Sequence, residues 1–209
     1  SFIQNTKFKG DARLRFQHTH TDKGTETDRS RYRYRLRYGF ETKISDTLAA
    51  GLNLATGTSE QTSTNQTMAD TFNQKNIWID KAYMTYAPNN YISLTGGKIA
   101  NPFHTAGSDL IWDYDITPEG FAALINLPAG KTEIFFRTGF FPIDENAGIS
   151  NDPALFVLQV GVGGKSFWNF KLGLAWYDFM NIKNNVAIED MSPSHNNRTN
   201  TMVNVSGKN

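Results

Sequence analysis

Between residues 29 and 42 the chain sets a charged or small polar side chain against a bulky apolar one at almost every step, reading Arg-Ser-Arg-Tyr-Arg-Tyr-Arg-Leu-Arg-Tyr-Gly-Phe-Glu-Thr. A period of two is the period of a β-strand, whose successive side chains point to opposite faces. Tyr32, Tyr34, Leu36, Tyr38 and Phe40 then share one face, and Arg31, Arg33, Arg35, Arg37 and Glu41 share the other. A helix would spread the same residues around its whole circumference. Residues 7–17 repeat the pattern, with Phe8, Gly10, Ala12, Leu14 and Phe16 opposite Lys7, Lys9, Asp11, Arg13, Arg15 and Gln17. Extended segments recur at 48–56, 77–87, 91–97, 120–126, 132–141, 154–162 and 167–179, which makes nine strands. In 77–87 the alternation places Trp78, Ala82, Met84 and Tyr86 opposite Lys81, Tyr83 and Thr85, while Ile79 and Asp80 interrupt it. The pairs Phe135-Phe136 and Phe140-Phe141 obscure which face is which in 132–141.

The connections carry a second pattern. Segments 18–28, 57–76, 98–119, 142–153 and 180–209 are long and mostly polar; 43–47, 88–90, 127–130 and 163–166 are tight turns. Long and short alternate along the chain, so in an up-and-down meander every long connection falls at one end and every turn at the other. A soluble sandwich has no reason to sort its loops this way, whereas a transmembrane β-barrel does. Aromatic residues also gather near strand ends, among them Tyr38, Phe40, Trp78, Tyr86, Tyr91, Phe167, Trp176 and Phe179, as interfacial girdles require. The predicted fold is an all-β, antiparallel, up-and-down transmembrane barrel forming one domain over 1–209.

Composition narrows the alternatives. A basic strand with interleaved tyrosines could bind nucleic acid, the arginines neutralising phosphates and the rings stacking on bases. On this strand, however, the two sets face opposite ways, and the whole chain carries 21 basic against 20 acidic residues. Nucleic acid is therefore not an expected partner. No apolar run approaches the roughly 18 residues of a membrane-spanning helix, which leaves a barrel as the way across a bilayer. With no cysteine there is neither a disulfide framework nor a thiolate metal site. Residues 1–9 lack the apolar core of a signal peptide, so a mature or trimmed chain is expected.

Several runs then resemble one known family. Phe8-Lys9-Gly10-Asp11-Ala12-Arg13-Leu14-Arg15, the 28–37 segment Asp-Arg-Ser-Arg-Tyr-Arg-Tyr-Arg-Leu-Arg, Lys81-Ala82-Tyr83, Gly97-Lys98-Ile99-Ala100-Asn101-Pro102-Phe103 and Trp112-Asp113-Tyr114-Asp115-Ile116-Thr117-Pro118-Glu119-Gly120 are similar, in order, to the putative porin family of Gram-negative outer membranes. The likeness is carried by residues 7–123; beyond them only generic barrel alternation is recognised. It implies a porin of about sixteen strands, a homo-trimer as many such porins are, in contact with membrane lipid and passing small hydrophilic solutes and ions. Single-chain bacterial barrels close with an even strand number, so nine strands point to the N-terminal portion of a longer barrel.

On that reading residues 98–119 are the third external loop, folded inward as a constriction. Asp109, Asp113, Asp115 and Glu119 supply its negative charge, Pro102 and Gly107 bend it, and Phe103, Ile111 and Trp112 can anchor it. Arg13, Arg15, Arg31, Arg33, Arg35, Arg37 and Lys81 form the basic wall opposite. Carboxylates facing cations across a narrow water path create a transverse field, focused by low-dielectric walls. The plainer alternative pairs these charges merely to stiffen the wall. A divalent cation at Asp113 and Asp115 is a lesser alternative; the expectation is no metal and no cofactor. His18, Thr19, His20 and Asp22 are read as a solvated loop. The sequons at Asn65 and Asn197 carry no meaning in a bacterium without the glycosylation machinery, and no nucleophile, base and orienter recur together, so an enzyme is not expected. The alternative function is structural, a plugged barrel acting as anchor or sheath for a partner protein.

Overall fold

The computed structural model describes residues 3–20, 28–108, 110–145, 147, 151–165 and 169–182. Apart from a turn of 3-10 helix at Ile3–Asn5, every regular element in them is a strand. The first of two units, Ser1–Pro118, contains β1 (Thr6–Thr19), β2 (Arg29–Lys43), β3 (Leu48–Thr56), β4 (Gln66–Thr67), β5 (Ile77–Tyr86) and β6 (Ile92–Lys98). The second, Glu119–Asn209, contains β7 (Glu119–Ala129), β8 (Thr132–Pro142), β9 (Ala154–Lys165) and β10 (Asn169–Met180). Within each unit sequential long strands pair antiparallel, in the order β1-β2-β3-β5-β6 and β7-β8-β9-β10. This is the meander that the sorted loop lengths predict.

Three departures from the sequence reading have local causes. The 57–76 connection is not simply solvated loop: it contributes β4, which pairs with Arg33 and Tyr34 where β3, paired with β2 only over Arg37–Lys43, has already turned away. The pair Gly163-Gly164, expected to turn, continues β9: Gly163 pairs with Lys171 and Gly164 with Phe170, whose ring packs where a Cβ on Gly164 would stand 2.7 Å from its Cε1. The interruption at Ile79-Asp80 is a β-bulge: Asn53 pairs with Lys81 and Leu54 with Ile79, leaving Asp80 as the additional residue. The bulge reverses the alternation, so Trp78 pairs with Ala55 on the face of Lys81 and Tyr83, not with Ala82, Met84 and Tyr86 as the uninterrupted pattern predicts. Its indole Nε1 donates to the Gly57 carbonyl at 3.0 Å.

Burial inverts the soluble pattern. On β1 and β2 the apolar face is the exposed one, with Leu14 82%, Tyr32 63% and Leu36 51% accessible, whereas the Arg35 side chain on the other face is 15% accessible. Cross-strand pairs tile the exposed face: Phe8 lies opposite Phe40, Leu14 opposite Tyr34 and Phe16 opposite Tyr32, the last with ring centroids 5.2 Å apart. In the second unit Leu172, Leu174 and Trp176 are exposed in the same way. Each unit therefore presents one continuous apolar surface that water would disfavour. No helix among the described residues is long and apolar enough to cross a membrane.

Candidate functional site: the arginine face of the first unit

The register of β1 on β2 brings the predicted basic residues together. Asp11 lies opposite Arg37, Arg13 opposite Arg35, Arg15 opposite Arg33 and Gln17 opposite Arg31, so all six arginines share one face of a two-stranded ribbon. Directly opposed side chains sit with Cβ atoms about 5 Å apart, where like charges repel. The first unit answers this charge in two different ways.

Toward the β2–β3 turn the answer is a carboxylate. Asp11 Oδ1 accepts from Arg35 Nε at 2.9 Å and meets Arg35 Nη2 at 2.7 Å, and Asp11 Oδ2 accepts from Arg37 Nε at 2.6 Å. One acid thus holds two guanidinium forks in a charge-assisted network. Toward the other end the answer is neutral. Arg13 donates to Asn65 Oδ1, and Arg33 donates to Gln17 Oε1 at 3.3 Å, Ser63 Oγ at 3.3 Å and the Asn65 carbonyl at 3.0 Å. The loop carrying Ser63 and Asn65 is pinned to the ribbon by β4 and by backbone contacts: Met68 N–H donates to the Tyr32 carbonyl at 2.9 Å, and Leu36 N–H to Thr56 Oγ1 at 2.9 Å. Asn65 is buried as a result.

The 98–119 connection supplies a further carboxylate. Its neck is closed by Ile99 N–H donating to the Pro118 carbonyl at 2.8 Å and Lys98 Nζ to the Thr117 carbonyl at 3.0 Å. Asn101 and Asp113 turn it, their side-chain oxygens accepting from the N–H groups of Phe103 at 2.9 Å and Asp115 at 2.7 Å. Ile99 and Phe103 bury their side chains and hold it. Asp115 Oδ1 then lies 3.7 Å from Arg37 Nη1. In the sheet β6 and β2 are three spacings apart, about 14 Å at 4.8 Å each. An ion pair between them requires the loop to fold back over the polar face.

The other predicted site residues are placed less uniformly. Lys81 shares the arginine face through its pairing with Asn53, and its Nζ donates to the bulged Asp80 at 2.6 Å. With Lys9, Asp11, Arg37 and Asn53 it borders a cavity of about 260 Å³. Asp113 spends one carboxylate oxygen on the turn, and among the described residues no group of three potential ligands accompanies Asp113 and Asp115. Glu119 is the first residue of β7 and belongs to the second unit, so the loop ends at Pro118; the strand ladder, longer than the alternation suggested, claims it. Of the three expected anchors Ile111 is exposed, Phe103 is buried and Trp112 is half-buried, and Ile99 is buried beside them in the sequence. Asp109 lies outside the described residues, as does Asp22. His18 and His20 both turn to Asp28, His20 Nδ1 at 2.7 Å and His18 Nε2 at 3.8 Å, which organises the mouth of the hairpin.

Asp11, Ser63, Asn65 and Asp80 are the residues that sequence reasoning left out. Asp11 carried a signal, being the lone acid among the polar-face positions of β1; the broken alternation carried one for Asp80. Ser63 and Asn65 had none, because nothing in a polar loop announces which strand it will touch. The assembled face holds fixed charges of both signs, an arrangement that can orient a polar solute. A family model described as "Putative porin" matches residues 14–206 of the chain. No curated protein matches it.

Proposed function

The chain belongs to the Putative porin family, and from that premise we propose that it forms an outer-membrane channel for passive diffusion of small hydrophilic solutes and ions in a Gram-negative bacterium. The exposed apolar faces meet lipid and the arginine face lines the water path. The eyelet lies between the wall and the inward loop, where Asp115 opposes Arg37. That ion pair is the observation that carries the reading, since a loop that merely capped the strand ends would not reach β2 across β5 and β3. Asp11, Arg35 and Arg37 hold the wall side of the eyelet rigid, and Lys81 extends it. An open sheet edge in hydrocarbon leaves backbone groups unsatisfied at several kcal/mol each, so the reading requires a closed wall. A complete barrel of about sixteen strands, assembled as a homo-trimer, supplies one.

The experiment is single-channel conductance of the full-length protein in a planar bilayer, with reversal potential under a potassium chloride gradient. Stepwise conductance is expected, and Asp115→Asn, by removing a carboxylate from the narrowest section, is expected to shift the reversal potential toward anion preference and change unit conductance by up to about twofold. A protein that inserts and yields no steps refutes the diffusion channel in favour of a plugged barrel serving as sheath or anchor for a partner.

A further inference from the structure

The two answers to the arginine charge are not equivalent, and the difference marks a second site on the same face. Arg35 and Arg37 share Asp11, and Arg37 also meets Asp115. Arg13, Arg15, Arg31 and Arg33 have no carboxylate within ion-pairing distance among the described residues. Arg13 and Arg33 are held by amide, carbonyl and hydroxyl oxygens, which fix their positions without cancelling their charge. The Nε atoms of Arg13, Arg31 and Arg33 are buried and meet no acceptor among the described residues. Arg15 lies directly opposite Arg33, and Arg31 is two residues from Arg33 on the same face. The field of Asp115 reaches Arg13 and that of Glu60 reaches Arg33. Glu60 Oε1 accepts from Thr62 Oγ1 at 3.0 Å.

Four guanidinium groups at such spacing without a counter-charge are costly, and each buried N–H lacking an acceptor adds to that cost. An anionic ligand removes both costs at once. We propose that Arg13, Arg15, Arg31 and Arg33 form a binding site for phosphate-bearing solutes, which accept at several oxygens and match the guanidinium fork in bidentate geometry. A point anion such as chloride supplies neither feature. The four arginines occupy the face opposite the apolar one, so the occupant comes from the aqueous path and not from lipid. The neutral clamp from Ser63 and Asn65 is what such a site needs: a carboxylate there would compete with the ligand, whereas amide and hydroxyl acceptors aim the guanidinium groups and leave their charge available. The site rests on the channel reading for its access, but its chemistry is separable from conduction.

The test uses the full-length protein and inorganic pyrophosphate as probe. In a bilayer, pyrophosphate added to potassium chloride is expected to block chloride-carried current in a saturable way. Isothermal titration of the detergent-solubilised protein is expected to give one binding event. The double variant Arg15→Gln, Arg31→Gln leaves the clamped pair in place and is expected to weaken both readouts by about tenfold per arginine removed. Lys43→Gln, which removes one positive charge from the same face at the distant turn, is expected to leave the pyrophosphate affinity within about twofold. No titratable binding by the folded wild-type protein, equal binding by the double variant, or an equal loss with Lys43→Gln each overturns the site. Variant-sensitive binding by a protein that conducts no current keeps the site and refutes the channel.

Discussion

The first and second units carry the same exposed apolar face and opposite solutions behind it. In the first, the less exposed face is charged: Arg13, Arg15, Arg31, Arg33, Arg35 and Arg37 share it, met by Asp11, a neutral loop clamp and the Asp115 carboxylate. In the second, that face is packed like a core, with Phe135 and Val157 fully buried and Phe141, Leu155 and Ala122 nearly so. Phe135 lies across the glycines: a Cβ built on Gly161 would collide with its Cζ, and one on Gly173 would sit 3.4 Å away. Arg137 and Lys171 approach the same ring, at 5.2 and 4.7 Å from its centroid, a cation–π arrangement that lets cations share a face with an aromatic. Alternation obliges every second residue to suit lipid; it places no such demand on the others. What fills the second face is free to be charged in one unit and packed like a core in the other.

The comparison can be broken most forcefully at Phe135. Phe135→Ala empties a fully buried site over two glycines that cannot refill it, and is expected to cost about 3 kcal/mol in urea unfolding of the protein in lipid vesicles, with little effect on reversal potential. A large shift in selectivity with unchanged stability would mean that this ring belongs to the permeation path. The apolar face that each unit exposes is probed next. Leu14→Arg and Leu174→Arg, one from each unit, are each expected to lose about 2 kcal/mol in vesicles, the usual cost of a cation on the lipid side of a barrel strand. A variant that loses nothing would show that its strand faces water on both sides. The smallest effect on stability is expected at Asp11→Asn, about 1 kcal/mol, since the half-exposed pair is partly screened. It frees two guanidinium charges, so the same variant is expected to move the reversal potential toward anions, by more than Phe135→Ala does.

How far the sequence reveals these features varies with their range. Strand identity and face were legible in residues 7–17 and 29–42 because each alternates cleanly, and the structure pairs them face for face. The pairing register was not, since the polar connection between them is too long to impose one; the meeting of Asp11 with Arg35 and Arg37 depends entirely on it. In 132–141 the doubled phenylalanines hid the faces, and only pairing with β9, Phe135 against Gly161 and Phe136 against Val160, sends the first inward and the second outward. The break at Ile79-Asp80 was visible as an irregularity, but its consequence, Trp78 on the opposite face, follows from where the partner strand absorbs the extra residue. The acids of the 98–119 segment were visible as charge, yet Asp113 turns the loop and Asp115 reaches the wall, a division set by local hydrogen bonding.

By itself the sequence determined the antiparallel all-β meander, the lipid-compatible faces and the gathering of arginines on one side of two strands, because all three follow from a period of two that is local to each strand. Tertiary structure alone decided which arginines are neutralised and which are left charged. That outcome depends on the register of a hairpin, a bulge and two loops crossing onto β2, and such contacts join residues far apart in the chain, where the alternation of neighbours carries no information.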